Sequence, residues 1–203
     1  KFIENGYYAD VYELIANEIN DLNLDDITIL DLGCGEGIHS MNILSKIKSN
    51  YKYFGFDYSK CAINLASDYN GSNRFYFNGD VNNIPIASDS IDVIIDFLSP
   101  YSESEVKRVL KKGGIFIKIA PSSNYLLELR EASGLGKYQK QQEIIDNLGK
   151  YFKDIVTENY QRTFKIEKDD IENLIGMTPL KLKANNLKIE QITIDLNVYK
   201  MAK

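Results

Sequence analysis

The sequence has few of the residues that link small proteins through metals or covalent bonds. Its 203 residues include two cysteines, Cys34 and Cys61, and one histidine, His39. The cysteines form no Cys-x-x-Cys pair, so we predict neither a structural metal site nor a disulfide framework. A chain of this length buries about 70% of its unfolded surface and needs no such links. The lack of disulfides fits a reducing cytosol.

Long apolar runs and an excess of positive charge are also missing. No stretch approaches the roughly 18–20 apolar residues of a membrane span, and the first residues show no signal-peptide pattern. We therefore expect a soluble cytoplasmic protein without a membrane partner. The 24 Lys and Arg against 29 Asp and Glu give a net charge of −5. This balance disfavours a dedicated nucleic-acid binder, although a local basic patch stays open.

What the sequence has is the composition of an ordinary folded domain and a regular alternation of strand and helix patterns. It is 44% apolar and 26% charged, and its length predicts one domain with elaborations. The strand patterns are near-continuous apolar runs, which indicates a doubly wound α/β sheet covered on both faces. Strands are predicted at 27–32, 52–57, 74–80, 91–98 and 115–120, and helices at 8–22, 37–47, 59–69 and 102–111.

Two further predictions concern helix ends and the last third of the chain. Ser102 is a plausible N-cap of the helix at 102–111, and Gly113 and Gly114 are expected to end it. Beyond residue 120 the pattern loosens. We predict a helical segment at 121–150, strands at 152–166 and 189–199, and a short helix at 169–176.

The strongest local signal is a glycine loop between the first predicted strand and the next helix. Asp31 closes the strand pattern, and Gly33, Gly35 and Gly37 follow it. Glycine allows a sharp turn and close approach of a ligand, and open α/β sheets bind ligands at this edge. A bare tight turn is the alternative. The dinucleotide fingerprint GxGxxG is missing, which disfavours a nicotinamide-dependent oxidoreductase.

Acids at the ends of the next two strands favour a nucleoside ligand. Asp57 ends the second strand, where a carboxylate can accept both hydrogen bonds of a ribose diol. Asp80 and the backbone N–H of Val81 follow the third strand and could read an adenine edge. The alternatives are a strand-end turn at Asp57 and a surface Asx-turn at Asp80.

Four motifs, in this order, resemble those of class I S-adenosylmethionine-dependent methyltransferases: ILDLGCGEG, FGFDYS, GDVNNIPIASDSIDVI and LKKGGIF. The resemblance covers at least residues 27–119. It implies a Rossmann-like seven-strand sheet, mostly parallel with an antiparallel C-terminal edge, and S-adenosyl-L-methionine as cofactor. It places the methionine end at Asp31, Gly33 and Gly35, the ribose at Asp57 and the adenine at Asp80 and Val81, with Cys34 and Tyr58 completing the site.

A narrower resemblance extends over nearly the whole chain. FIENGYY, FLSPY, APSSNYLLELRE and NLIGMTP resemble segments of the large-subunit rRNA guanine-N1 methyltransferases, including their macrolide-resistance branch. It implies cofactor contacts at Tyr8, at the Gly35–Glu36 pair and at Tyr125, a position that is commonly His in that family. The family carries an N-terminal zinc ribbon that this sequence lacks, so either the ribbon was lost or the sequence is a fragment. We expect one methyltransferase domain over 1–203, with a helical cap at 1–26, a cofactor-binding core at 27–120 and an acceptor side at 121–203.

The acceptor is expected beside the end of the fourth strand. Methyl transfer is an in-line displacement, and a guanine N1–H would need a proton acceptor. We expect Phe97 to pack on the cofactor, Tyr101 to stack on or hydrogen-bond the acceptor, and Asp96 to be the base. A strand-end capping acid is the alternative for Asp96.

A turn at 177–179 is expected to form one wall of the acceptor pocket, through Met177, Thr178 and Pro179. An ordinary helix stop is the alternative, because a proline biases the preceding residue away from helix. For the whole protein, rRNA is the expected partner. A small-molecule acceptor and a non-catalytic cofactor-binding protein stay open, as does the oligomeric state.

Overall fold

A computed structural model describes residues 3–178 and 189–203. The described chain forms a seven-stranded sheet. Its strands are β1 (Asp26–Leu32), β2 (Asn50–Asp57), β3 (Arg74–Asn78), β4 (Ile91–Phe97), β5 (Leu110–Pro121), β6 (Ile155–Lys165) and β7 (Gln191–Ala202). The helices are α1 (Ala9–Asn20), α2 (Ile38–Leu44), α3 (Lys60–Ala66), α4 (Glu103–Val109), α5 (Leu127–Ala132), α6 (Gln141–Gly149) and α7 (Lys168–Met177), with 3-10 turns at Ile3–Asn5 and Ser67–Tyr69.

The strand order is β3-β2-β1-β4-β5-β7-β6. The first five strands pair in parallel, whereas β7 is antiparallel to both β5 and β6. This confirms the predicted α/β sheet with an antiparallel C-terminal edge. The order reverses at β1, between β2 and β4, and ligands of such sheets bind at this switch point. In the described part of the chain no helix is long and apolar enough to cross a membrane.

Apolar side chains fill both faces of the sheet. On one face Ile29 and Ile95 pack with Ile15 of α1. On the other face Leu30 and Ile94 pack in a second buried cluster that includes residues of α4 and α6. Burial on both faces explains why the strand patterns are continuous rather than alternating.

The structure contradicts one local prediction and refines two others. The helix α4 ends at Val109, and Gly113 and Gly114 lie inside β5. A Cβ on Gly114 would stand 2.8 Å from the carbonyl oxygen of Asp92, so this glycine permits close approach of β5 to β4 where their register shifts, instead of ending a helix. Ser102 occupies the N-cap position of α4, as predicted, although within the described chain its hydroxyl accepts no hydrogen bond from a helix N–H. The stretch 121–150 is two helices, because Gly134 and Gly136 between them adopt φ of +73° and +57°.

Candidate cofactor and acceptor site

The glycine loop after β1 is shaped by close contact with the segment that follows β4. Gly33 has a φ of +68°, and a Cβ there would stand 2.5 Å from the Cβ and Oγ of Ser99. A larger residue would therefore clash as well as strain the backbone. The N–H groups of Gly33 and Cys34 both donate to the carbonyl of Phe56, at 2.9 and 3.0 Å. The loop is thus tied to β2 on one side and to Ser99 on the other.

Asp57 stands at the open side of this loop. Its Oδ2 accepts from the N–H of Gly35 at 3.0 Å, and its Oδ1 accepts from the N–H of Ser59 at 2.8 Å. Among the described residues no atom lies within 4 Å of the Cβ position of Gly35. Asp57 and Gly35, which are both predicted cofactor contacts, therefore lie together beside space that a ligand can enter.

The carboxylate of Asp31 is buried under the loop with only 3% of the residue exposed. Its Oδ2 accepts from the hydroxyls of Ser40 and Tyr53, while its Oδ1 has no hydrogen-bond partner in the described chain. Burial raises the pKa of Asp31 to about 6, and the charge of Asp96 adds to this rise. A buried carboxylate oxygen without a donor is unfavourable, so a cationic or N–H group of a ligand would be bound well there.

The residues expected at the adenine lie together at the ends of β2 and β3. The N–H of Gly79 donates to the carbonyl of Asp57 at 3.1 Å. Asp80 is exposed, and its Oδ1 accepts from the N–H of Asn82 at 2.9 Å, which is the Asx-turn that the sequence left as the alternative. Val81 is partly buried, and Tyr58 is 83% exposed. Their contact with a cofactor therefore stays a prediction.

An aromatic cluster lies at the other end of the loop, between α1, α2 and β4. The hydroxyls of Tyr8 and Tyr125 are 2.9 Å apart, and the hydroxyl of Tyr12 is 2.7 Å from Nδ1 of His39. The rings of His39 and Phe97 stack at 4.3 Å. Burial lowers the pKa of His39 to about 4, so the ring is neutral at pH 7. The cluster brings three predicted cofactor contacts together: Tyr8, Phe97 and Tyr125.

Asp96 lies near the end of β4 in a fully buried position, with 0% of the residue exposed. Its Oδ1 accepts from Nζ of Lys118 and from the N–H of Ser99, both at 3.0 Å. Burial raises the pKa of Asp96 to about 6 against the opposing charge of Lys118. These contacts are those of a strand-end capping acid. A direct role as base would require the loop at 97–101 to shift.

Two cavities open at the carboxyl ends of β4 and β5, on either side of Leu98. The first has a volume of about 300 Å³ and the second about 540 Å³. Leu98, Pro121 and Tyr138 border both. The first is also lined by Tyr125, Leu126, Arg130, Met177 and Thr178, and the second by Tyr101, Glu103, Lys118, Lys140, Glu143 and Asn147.

The predicted acceptor residues are thus divided between the two cavities. Met177 and Thr178 line the first, whereas Tyr101 lines the second. Pro179 lies outside the described residues. Leu98, at the border, has a φ of +60° and donates its N–H to the carbonyl of Ile119 at 3.1 Å. A leucine held in this unfavourable conformation fits a functional position.

Comparisons with known proteins show the family of the chain. A family model described as a methyltransferase domain matches residues 23–167. The chain belongs to this methyltransferase family. The enzymes of this class depend on S-adenosylmethionine, and the resemblance carried by the four sequence motifs is confirmed.

Curated relatives of this methyltransferase carry names that refer to rRNA. A candidate 23S rRNA (guanine-N(1)-)-methyltransferase of Bacillus subtilis, YxjB, is 34% identical over 141 residues, which are 63% of this chain and 46% of the relative. The 23S rRNA (guanine(748)-N(1))-methyltransferase of Streptomyces fradiae is 21% identical over 182 residues, which are 87% of this chain and 64% of the relative. The chain therefore spans about half to two thirds of the length of these relatives.

Solved structures support the fold of the methyltransferase. A candidate methyltransferase of Bacillus halodurans, BH2331, superposes with a TM-score of 0.64 at 16% identity and covers 96% of this chain and 98% of that one. An S-adenosylmethionine-dependent methyltransferase of Methanosarcina mazei gives 0.59 at 18% identity, over 91% and 96%. At these identities the likeness concerns the fold alone.

The methyltransferase also has site residues that the sequence reasoning missed. The pattern at 115–120 predicts an apolar strand and no role for Lys118, although a lone lysine in the run IFIKIA is a signal that could have marked it. Asp170 of α7 is buried and accepts both from the amide of Asn5, at 2.7 and 2.9 Å, and from the hydroxyl of Tyr7 at 2.9 Å. These bonds tie the segment before α1 to the helix that ends at Met177.

Proposed function

We propose that this domain transfers a methyl group from S-adenosylmethionine to N1 of a guanine in large-subunit rRNA. One observation carries the proposal: the glycine loop, which we assign to the cofactor, and the cavities, one of which we assign to the acceptor, lie at the same edge of the sheet. The glycine loop contacts Ser99, and Ser99 belongs to the segment that borders both cavities. The names of the curated relatives support rRNA as the acceptor.

The residues at the glycine loop fit the cofactor. The unpaired Oδ1 of Asp31 suits an ammonium group, and the open space at Gly35 admits a ligand against the backbone. Asp57 has remaining lone pairs for a ribose diol. Phe97, Tyr8 and Tyr125 would bound the methionine end, and Asp80, Val81 and Tyr58 the adenine. S-adenosylmethionine, when bound, supplies an electrophilic methyl group.

We assign the guanine that is to be methylated to the first cavity. It is lined mainly by apolar and aromatic side chains, and the guanidinium of Arg130 lies 5.5 Å from the ring centroid of Tyr138. Aromatic rings and guanidinium planes are the surfaces on which unstacked RNA bases are held. Met177 and Thr178 would close this cavity from the side of α7. Tyr101 faces the second cavity, where it could contact a neighbouring nucleotide.

The chain must orient the acceptor guanine and remove the proton from its N1. Among its described lining residues the first cavity has no carboxylate. Asp96, which is the acid at the start of the bordering segment, stays our candidate for the proton acceptor. With a pKa of about 6 it is mostly ionised at pH 7.

Methylation of unmodified rRNA tests the proposal. The purified domain is incubated with radiolabelled S-adenosylmethionine and with large-subunit rRNA transcribed in vitro, and the product nucleoside is identified by mass spectrometry. We expect 1-methylguanine at one position, and no label when Gly35→Ala replaces the wild-type chain. Label absent from the rRNA, with cofactor bound, would overturn the rRNA assignment.

A small-molecule acceptor is the second candidate, and the charge of the chain favours it. The net charge is −5, and two glutamates, Glu103 and Glu143, line the second cavity. RNA binding would fall steeply with added salt because phosphate contacts release counterions. A filter-binding titration over salt therefore separates the two: a flat, weak response favours the small molecule.

A further inference from the structure

A buried cation stands in the apolar strand β5. Lys118 is 4% exposed, and its neighbours in the strand, Ile117 and Ile119, are fully buried. Taking an ammonium group out of water costs several kcal/mol unless its protons are bound. The location of Lys118 therefore requires an explanation that the other residues of the strand do not.

Lys118 contacts Asp96, near the end of β4, and two residues of the segment 97–101, which separates the two cavities. Its Nζ donates to Oδ1 of Asp96 at 3.0 Å and to the carbonyl of Ser99 at 2.8 Å, and it lies 4.9 Å from the ring centroid of Tyr101. Ser99 in turn donates its hydroxyl to the carbonyl of Leu32 at 2.6 Å and abuts Gly33. A change at Lys118 would thus be transmitted to the glycine loop and to the acceptor side together.

Stability alone does not account for this pair. Buried ion pairs replaced by apolar residues of similar size often leave proteins equally stable or more stable. A second pair between the same two strands, Lys111 with Asp92 at 2.8 Å, is partly exposed and lies far along the strands from the 97–101 segment. This pair joins the same two strands without contacting the site, so it serves as a control for the loss of a lysine–aspartate pair.

We infer that Lys118 is a positioning residue for methyl transfer, which fixes the carboxylate of Asp96 and the backbone of Ser99 and so sets the segment between the cofactor and the acceptor. Only one part of the inference rests on the proposed function, namely that Asp96 takes up the proton that the acceptor loses. The placement of the segment applies to any acceptor.

The charges around Asp96 give the inference a measurable electrostatic consequence. Asp31 on β1 and Tyr101 after β4 interact with Asp96, and Lys118 on β5 provides the opposing positive charge. Burial has the largest effect on the pKa of Asp96, and Lys118 lowers it. Without Lys118 the pKa would rise further, and less of the carboxylate would be ionised at pH 7.

The test compares Lys118→Met and Lys118→Arg with the matched control Lys111→Met. The Asp96 carboxyl is titrated by carbon NMR with labelled aspartate, and kcat is measured over pH with the acceptor that the wild-type chain methylates. For Lys118→Met we expect the Asp96 titration and the acid limb of kcat to move up together by about one pH unit. A pKa that moves from about 6 to about 7 lowers the ionised fraction at pH 7 about twofold. Misplacement of the segment at 97–101 should bring the total loss of kcat at pH 7 to at least about tenfold. Lys111→Met should leave both unchanged.

Lys118→Arg separates charge from placement. It keeps the positive charge, so the acid limb should stay in place, while the larger guanidinium displaces Ser99 and lowers kcat. If Lys118→Met does not fold, Lys118→Arg still tests the placement. An unmoved Asp96 titration in Lys118→Met, or full kcat in Lys118→Arg, would overturn the inference. A wild-type chain that methylates no RNA would refute the proposed function alone, because the NMR titration needs no acceptor.

Discussion

The hydroxyl of Tyr8, just before helix α1, lies 2.9 Å from the hydroxyl of Tyr125, just before helix α5. The bond joins the N-terminal segment to the acceptor side across 117 positions of sequence. Burial raises the pKa of Tyr125 to about 12, so the bond is between neutral hydroxyls at pH 7. Both tyrosines are among the cofactor contacts that the rRNA-methyltransferase resemblance implies.

Removing this bond should weaken cofactor binding. A net hydrogen bond between neutral groups contributes about 1 kcal/mol. Tyr8→Phe and Tyr125→Phe are each expected to weaken S-adenosylmethionine binding about fivefold by calorimetry. Because both variants break the same hydrogen bond, the double variant should lose less binding free energy than the sum of the two single variants. Tyr160→Phe, which breaks an exposed hydrogen bond to Asp10, is the control and should bind S-adenosylmethionine as the wild-type chain does. Additive losses in the Tyr8 and Tyr125 variants would contradict the coupling between these residues.

Gly35→Ala should separate folding from cofactor binding. Gly35 and Gly134 have φ of +57° and +73°, and at neither does a Cβ meet a described atom within 4 Å. Alanine at either position should cost about 1 kcal/mol of unfolding free energy through backbone strain. Only Gly35→Ala places a methyl group in the space that we assign to the cofactor. Denaturant unfolding and cofactor titration check this; equal cofactor affinity in both variants would contradict the assigned location.

Asp31→Asn should stabilise the fold while weakening cofactor binding. The pKa of Asp31 is raised to about 6 in the folded protein from an ordinary value of 3.8. The folded state therefore binds more protons between these values, and unfolding free energy falls as pH rises through this window. The loss attributable to Asp31 is on the order of 2–3 kcal/mol.

The amide introduced by Asp31→Asn cannot ionise, so the decline between about pH 4 and 6 should shrink. Unfolding titrations at several pH values measure it, with Asp169→Asn, an exposed change, as the control. The variant should also bind S-adenosylmethionine at least about tenfold more weakly, since the unpaired carboxylate oxygen is lost. Unchanged affinity would remove Asp31 from the cofactor site.

Asp170→Asn should loosen the wall of the first cavity. Asp170 holds Asn5 and Tyr7 against α7, the helix that carries Met177. Hydrogen bonds to a buried charged group contribute about 1.5–3 kcal/mol each. We expect a lower melting temperature and a raised KM for the acceptor, with a smaller effect on cofactor affinity. The neighbouring Asp169→Asn should do neither, and a similar KM in both variants would show that the tie does not shape the cavity.

The sequence by itself determined the layers and the cofactor side of this protein. Continuous apolar strands indicated a sheet covered on both faces, and the glycines after Asp31 indicated the turn at its edge. These features are local: strand length, backbone freedom at Gly33 and Gly35, and an acid at each strand end can be read from neighbouring residues. Even so, Gly113 and Gly114 misled the prediction. They lie at an irregularity in the pairing of β4 with β5, between the pairs Ile91–Leu110 and Val93–Ile115, and their backbones bond to the distant Lys203.

Only the tertiary structure decided the acceptor side. Lys118 and Asp96 are 22 positions apart, and no local pattern pairs them before β4 and β5 are aligned. Tyr101 and Met177 were both expected at the acceptor, yet they line different cavities because Leu98 stands between them. Such relationships depend on which side chains the fold places together from distant segments, and they arise from packing, which local sequence patterns do not specify.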